Sequence, residues 1–292
     1  MPLIEPTDYD NSRLSTYALC PMKYYNHYVL GLEEPRGFNA RFSTHMVHDP
    51  ITEWYFRGRA WDPGDTGWRE RFDRVAMTQA EMAIKANAVY SIDSARRCFD
   101  FYRERFDADH DRFEILGAEN YLIDPVLHFG SKPDVRAKER DTGHLYTIEI
   151  KFSSWDFILE ASPMNPQFLG QVNNTKGHGC VVTLIQPCGS KWSSFSAVRE
   201  EIIPTRAELE AWARDKYFEI DTVQRSYRTN VWPKNTPHAC TSYGGCFFLG
   251  LCVAGHPKEM VDRMPKAGDP LDYLNGGFEH AETQGQADET TP

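Results

Sequence analysis

Residues 145–152, LYTIEIKF, constrain this chain more than any other stretch. Extended, they put Leu145, Thr147, Glu149 and Lys151 on one side and Tyr146, Ile148, Ile150 and Phe152 on the other. The second side is apolar and predicts a core face. The first ends in an acid and a base aimed at one spot. Asp134 lies upstream in VLHFGSKPDVRA, which reads as a preceding strand, and the Asp-Thr-Gly of ERDTGH reads as the turn between the two. A hairpin of this kind brings Asp134 beside Glu149 across the ladder.

Two carboxylates at close range repel unless a cation sits between them. Hard oxygen ligands suit Mg²⁺ or Mn²⁺, which polarises a phosphoryl oxygen and lowers the pKa of a bound water. Lys151 is then placed to orient that water and to offset negative charge in the transition state. The same letters also fit a solvent-facing strand with a Glu–Lys pair at i,i+2.

The chain has 292 residues, 25% of them charged and 41% hydrophobic, ordinary for a globular protein with a sizeable core. No apolar run approaches a membrane span, and MPLIEPTDYD lacks the plan of a signal peptide, so a cytoplasmic protein is expected. Seven cysteines in that setting are thiols or metal ligands rather than disulfides. The net charge of −10 argues against a general nucleic-acid binder. Six acids, and no Lys or Arg, fall within residues 267–292, and carboxylates around a metal add to the acidic count, so the charge does not exclude nucleic acid as substrate.

Helices are predicted over 13–30, 42–58 (with Pro50 as a kink or break), as two amphipathic helices within 68–107 (apolar positions Phe72, Val75, Ala76 and Ile84), and over 165–176 and 205–228. Strands are predicted over 114–124, 126–137, 144–152, 180–186 and 193–203. The order predicts an α/β fold: a central mixed sheet flanked by helices and led by a helical region. No phosphate-binding loop of the motor type occurs.

Cys240, Cys246 and Cys252 are separated by five residues each, among glycines and aromatics. Such a triplet is a metal-site signal needing a fourth ligand. His256 completes a Cys₃His set of the kind that holds structural zinc. Cys20, before Pro21, instead completes a Cys₄ set joining the chain ends, suited to an iron–sulfur cluster and also to zinc. Cys98, Cys180 and Cys188 lack such spacing and read as buried apolar thiols.

Taken in order, these motifs resemble the RecB-type nucleases of the PD-(D/E)XK superfamily, in the iron–sulfur branch that includes the CRISPR-associated RecB-like exonucleases, the AddB nuclease domain and phage-encoded relatives. The resemblance spans roughly residues 13–255. It runs through Ser15 to Cys20-Pro21, His48 ahead of Trp54-Tyr55 (His45 being the competing choice), Ser131-Lys132-Pro133-Asp134, the Glu149-Ile150-Lys151 strand, Gln167 with Gln171 four residues on, and the cysteine triplet. Thr44 and Ser131 stand where the family usually has glycine, Phe152 where Thr is frequent, and Gln171 where Tyr is expected.

The resemblance implies a restriction-endonuclease-like fold in four parts. These are a helical region over 1–110, a nuclease core over 111–232, a cysteine segment over 233–265 that closes on the N-terminal helix, and an acidic, disordered tail over 266–292. It implies that His48, Asp134, Glu149 and the Ile150 carbonyl bind Mg²⁺ or Mn²⁺, that Lys151 activates water, and that Gln167 positions DNA or Lys151. Glu119 and Gln171 support these residues from behind. Cys20, Cys240, Cys246 and Cys252 carry a 4Fe-4S cluster. The implied activity is that of a metal-dependent deoxyribonuclease, an exonuclease acting on DNA ends or single strands, with Tyr24, Tyr25 and Tyr28 available to stack on bases. A helicase or recombination partner and a cytoplasmic setting (that of the host, if phage-encoded) go with it. Two rivals predict different behaviour: a non-enzymatic Cys₃His zinc module, and a structural homologue that has lost activity.

Overall fold

A computed structural model describes residues 3, 5–33, 42–75, 91–153, 164–189, 192–236, 238–241, 245–264 and 266. The elements are β1 (Tyr9–Asp10), α1 (Asn11–Leu19), α2 (Pro21–Tyr24), α3 (Asp49–Arg57), α4 (Gly64–Val75), α5 (Ile92–Phe106), α6 (Asp109–Arg112), β2 (Phe113–Ala118), β3 (Leu122–Asp124), β4 (Phe129–Ser131), β5 (Val135–Glu139) and β6 (Leu145–Phe152). After them come α7 (Pro166–Thr175), β7 (Gly179–Cys188), β8 (Ser194–Ile202), α8 (Arg206–Thr229), α9 (His238–Thr241), α10 (Leu249–Ala254) and α11 (Lys258–Arg263).

Five strands form a mixed sheet in the order β2-β5-β6-β7-β8. The hairpin β5–β6 is antiparallel, with Val135 opposite Ile148 and Arg136 opposite Thr147. Strands β6 and β7 run parallel, with Ile150 opposite Thr183. A parallel neighbour needs a crossover, and the chain makes it through α7. That helix starts at Asn165, whose side chain accepts the Gln167 N–H, followed by Pro166 in the first turn. Both faces of the sheet are covered. On one, Tyr146, Ile148, Ile150, Val181 and Ile185 pack against Trp54, Tyr55, Phe99 and Tyr102 of the N-terminal helices. On the other, Phe168 and Val172 of α7 pack on Cys180, Val182 and Leu184. The near-continuous apolar run of β7 follows from burial on both faces.

The fold is thus the expected mixed α/β arrangement, with three local departures. The predicted strands 114–124 and 126–137 each divide between two sheets, because β3 and β4 join β1 in a second sheet of order β1-β4-β3. The first division follows a register shift between Ile115 and Gly117 and a left-handed Glu119 (φ 56°). The second falls at buried Pro133, which has no N–H for a ladder. The predicted helix 13–30 also breaks. Cys20, preceding proline, is extended (φ −164°, ψ 111°), and the chain re-enters a helix at Pro21, continuing as a π-helical turn over Tyr25–Val29.

Pro50 does not interrupt its helix. Residues 42–57 stay helical throughout, with His48 and Asp49 both in the right-handed helical region, and the π-helical turn over Ser43–His48 is where the chain accommodates a proline that lacks an N–H. Of the two helices predicted within 68–107, the described parts are α4 and α5. Ala76 and Ile84 lie outside the described residues, as does the acidic tail beyond Lys266, which itself bridges to Leu32.

Candidate active site

Glu149 sits where β6 is covered by α7, and it is 1% exposed, so the reading of a solvent-facing Glu–Lys strand does not describe it. Three side chains engage its carboxylate. Gln167 Nε2 donates to Oε1 at 2.6 Å, Gln171 Nε2 donates to Oε2 at 2.7 Å, and Lys151 Nζ also reaches Oε1. Gln167 and Gln171 are four apart on α7, hence on one helical face, which is why a single helix clamps both oxygens. Lys151 Nζ lies 3.3 Å from Gln167 Oε1, completing a ring of three side chains.

Asp134 precedes β5, one step beyond the last paired residue, and so stands beside Glu149 as the hairpin predicts. It is 6% exposed. Its Oδ2 accepts the Ile150 N–H at 2.6 Å, and its Oδ1 lies 2.9 Å from His48 Nε2. His48 closes the π-helical turn that leads into α3. The Ile150 side chain lies in the core, so the peptide rather than the side chain faces the site.

Glu119 stands closer to this group than sequence suggested. His48, Glu119 and Asp134 each offer a ligand atom, all within 4.8 Å of one another. Lys132 Nζ pairs with Glu119 Oε2 at 2.9 Å, while Oε1 is buried without a hydrogen bond and 3.7 Å from His48 Nδ1. A left-handed backbone at a residue other than glycine, spent to turn a carboxylate inward, fits a site rather than a surface turn.

Charge is held here under tension. Burial pushes Glu149 above the ordinary carboxylate range, and the neighbouring Asp134 charge adds to this; Lys151 and Gln171 offset only part. Glu119 is raised for the same two reasons. Burial would raise Asp134 too, but His48, Lys151 and the Ile150 N–H hold it below its ordinary value. Burial would lower His48, yet Asp134 keeps its pKa well above that of a free imidazole. Lys151 is likewise held above its ordinary value by Glu149 and Asp134 against the pull of burial. Three carboxylates, one of them with an unpaired oxygen at Glu119, and one imidazole form a donor set that fits a hard divalent cation, which would relieve their repulsion.

Three of the positions that depart from the resembled pattern, Ser131, Gln171 and Phe152, have local partners. Ser131 Oγ accepts Asn174 Nδ2 at 3.0 Å, tying the second sheet to α7. Gln171, where Tyr is expected, is a ligand to Glu149 Oε2. Phe152 turns to the opposite face and meets Trp192, with ring centroids 5.0 Å apart. Sequence reasoning missed Asp49 and Lys132. The H-x-x-H-D spacing of His45, His48 and Asp49 was the available signal for the first.

Cys20, Cys240, Cys246 and Cys252 line one cavity of about 280 Å³ with Lys23 and Lys234. None is in a disulfide. The chain ends meet here through Met22 N–H to Pro233 O at 3.1 Å and Asn235 Nδ2 to Leu19 O at 2.8 Å. Two N–H groups point at sulfur: Asn235 N–H to Cys20 Sγ at 3.5 Å and Asn26 Nδ2 to Cys252 Sγ at 3.7 Å. His256 turns away and meets Asn26 Oδ1 with Nε2 at 2.9 Å. Among the described residues, ligand atoms mutually within 4.8 Å occur as a trio at His48, Glu119 and Asp134 and not at the cysteines. Four thiols on one cavity, two of them facing N–H groups, are a donor set that fits an iron–sulfur cluster or zinc. Tyr24, one of the three expected stacking residues, is fully buried and stacks on Trp232 (5.8 Å, 10°).

No protein-family model matches the chain. No curated protein sequence matches it significantly. Among solved structures, a protein of Eubacterium rectale described as a candidate exonuclease aligns at 10% identity and a TM-score of 0.47, covering 92% of this chain and 94% of that one. SSO0001 aligns at 13% identity and 0.32, covering 74% and 94%. The alkaline exonuclease LHK-Exo of Laribacter hongkongensis aligns at 14% identity and 0.28, covering 66% and 100%. All three scores lie below 0.5, too low to assign this chain a role. Among the described residues, no helix is long and apolar enough to cross a membrane.

Proposed function

We propose that this chain is a metal-dependent deoxyribonuclease of the RecB-like iron–sulfur type, hydrolysing phosphodiester bonds at DNA ends or in single strands. One observation carries the reading: His48, Glu119 and Asp134 converge within 4.8 Å beside the Glu149–Lys151 strand. His48, Asp134, Glu149 and the Ile150 carbonyl, with Glu119 beside them, would hold Mg²⁺ or Mn²⁺, which supplies Lewis acidity and a more acidic water.

The side chains account for the rest. Lys151, held protonated by Glu149, arrives as an ammonium and serves to orient the attacking water and to balance charge on the phosphoryl group. Gln167 links Lys151 to Glu149 and keeps both on one side of the strand. Water attacks phosphorus in line, the P–O bond to the leaving sugar oxygen breaks, that oxygen takes up a proton from solvent, and the attacking water gives one up to solvent. The cysteine cavity would take a 4Fe-4S cluster as a clasp joining the chain ends. Action alongside a helicase or recombination partner, a phage origin and a cytoplasmic setting belong to the same proposal.

The zinc-module rival is disfavoured by His256, which is engaged with Asn26. The test is anaerobic purification, iron and zinc analysis, and assay of labelled single- and double-stranded DNA with Mn²⁺ beside Asp134→Ala and Lys151→Ala. Brown, iron-bearing protein whose cleavage both substitutions abolish is expected. A colourless zinc protein, or cleavage indifferent to Lys151→Ala, would overturn the reading.

A further inference from the structure

Two histidines one helical turn apart, His45 and His48, face one carboxylate. Asp49 Oδ2 meets His45 Nδ1 at 2.9 Å, and Asp49 Oδ1 lies 3.7 Å from His48 Nδ1. On its other edge His48 presents Nε2 to Asp134 at 2.9 Å. The backbone explains the arrangement. The π-helical turn over Ser43–His48 shifts the helical register before α3, and Asp49 in the first turn of α3 is tied down by the helix itself. Its two oxygens therefore diverge toward two imidazoles.

We infer that Asp49 is a positioning residue of the metal site. Its Oδ2 takes the Nδ1–H of His45, and its Oδ1 stands in ion-pair range of His48 Nδ1, across the ring from the Nε2 that faces Asp134. An imidazole bound through one nitrogen is commonly oriented by a carboxylate on the other, and loss of such a partner weakens metal binding about 10–100-fold. Glu119 Oε1 stands at the same 3.7 Å from that Nδ1, within the candidate metal group itself. Lys132 already engages the other Glu119 oxygen, so Asp49 is the carboxylate whose removal leaves both histidines without their common partner. His48, favoured in the sequence on its spacing to Trp54-Tyr55, is thereby oriented by a residue that need never touch the metal.

This inference rests on the metal-site reading above. The test is Mn²⁺ affinity by isothermal titration and electron paramagnetic resonance, with melting temperature in EDTA as a control, for the full chain and for Asp49→Ala, Asp49→Glu, His45→Ala and His48→Ala. Asp49→Ala is expected to weaken Mn²⁺ binding about 10–100-fold. Asp49→Glu, which keeps a carboxylate, should recover part of it, and His48→Ala should lose more than His45→Ala. Unchanged Mn²⁺ affinity in Asp49→Ala overturns the inference, and so does a loss in Asp49→Ala that Asp49→Glu leaves wholly unrestored. Greater loss in His45→Ala than in His48→Ala overturns it as well. Failure of the unsubstituted chain to bind Mn²⁺ instead sinks the metal-site reading itself.

Discussion

Asp134 Oδ2 accepts the backbone N–H of Ile150 at 2.6 Å, tying the residue that precedes one strand to the peptide between the acid and the base of the next. A ladder position just past the last β5–β6 pair is thus closed by a side chain instead of a carbonyl. The carboxylate cannot rotate away without leaving that N–H unpaired in the interior.

That lock makes Asp134→Asn and Lys151→Ala informative. Both are expected to keep the fold and lower kcat by about 10²–10³-fold, the usual scale for removing one preorganised charge at a phosphoryl centre. Circular dichroism with steady-state cleavage of a labelled oligonucleotide checks the pair. Cleavage within threefold of the unsubstituted chain would remove both residues from the mechanism.

Metal binding should release protons and strengthen with pH. Asp134 holds His48 protonated to well above the ordinary imidazole pKa of 6.5, and a cation competes with that proton. Because the pKa is raised, affinity should climb as pH rises through a range above 6.5. Titrating Mn²⁺ in two buffers of different ionisation enthalpy measures the protons released. Affinity that is flat from pH 6.5 to 9 counts against His48 as ligand.

The cysteine cavity makes a separate prediction. Anaerobic protein should carry roughly four irons per chain. Cys20→Ser should lose them and lower the melting temperature, since Cys20 lies between α1 and α2 while its partners lie near the other end. His256→Ala should retain the iron, because its ring is directed to Asn26. Iron analysis that shows loss only in His256→Ala would reverse the assignment.

Gly170 on α7 tests the packing behind the glutamine clamp. A Cβ there would lie 2.6 Å from Phe129 Cε1 and 3.1 Å from Trp212 Cζ2. Gly170→Ala should therefore destabilise by about 1–3 kcal/mol through overpacking, despite the better helix propensity of alanine. Denaturant unfolding measures it. A stabilised variant would mean that the two rings move aside freely.

The β5–β6 hairpin and its charged face were legible in the letters alone, although the second sheet was not. Period-two alternation at 145–152 marked a strand with a charged end, and the spacing to Asp134 across a turn predicted the carboxylate pair, because both depend on residues close in the chain. Proline and glycine placed several boundaries, although Pro50, read as a kink or break, lies within a helix that continues through a π-helical turn. Tertiary structure alone decided the rest. It turned Glu149 inward under α7, brought Glu119 to within reach of His48, and set Cys20 beside the triplet while His256 met Asn26. Each of these choices depends on how separate segments approach in space. Local pattern carries no such distance, whereas burial without a partner is costly enough to fix it.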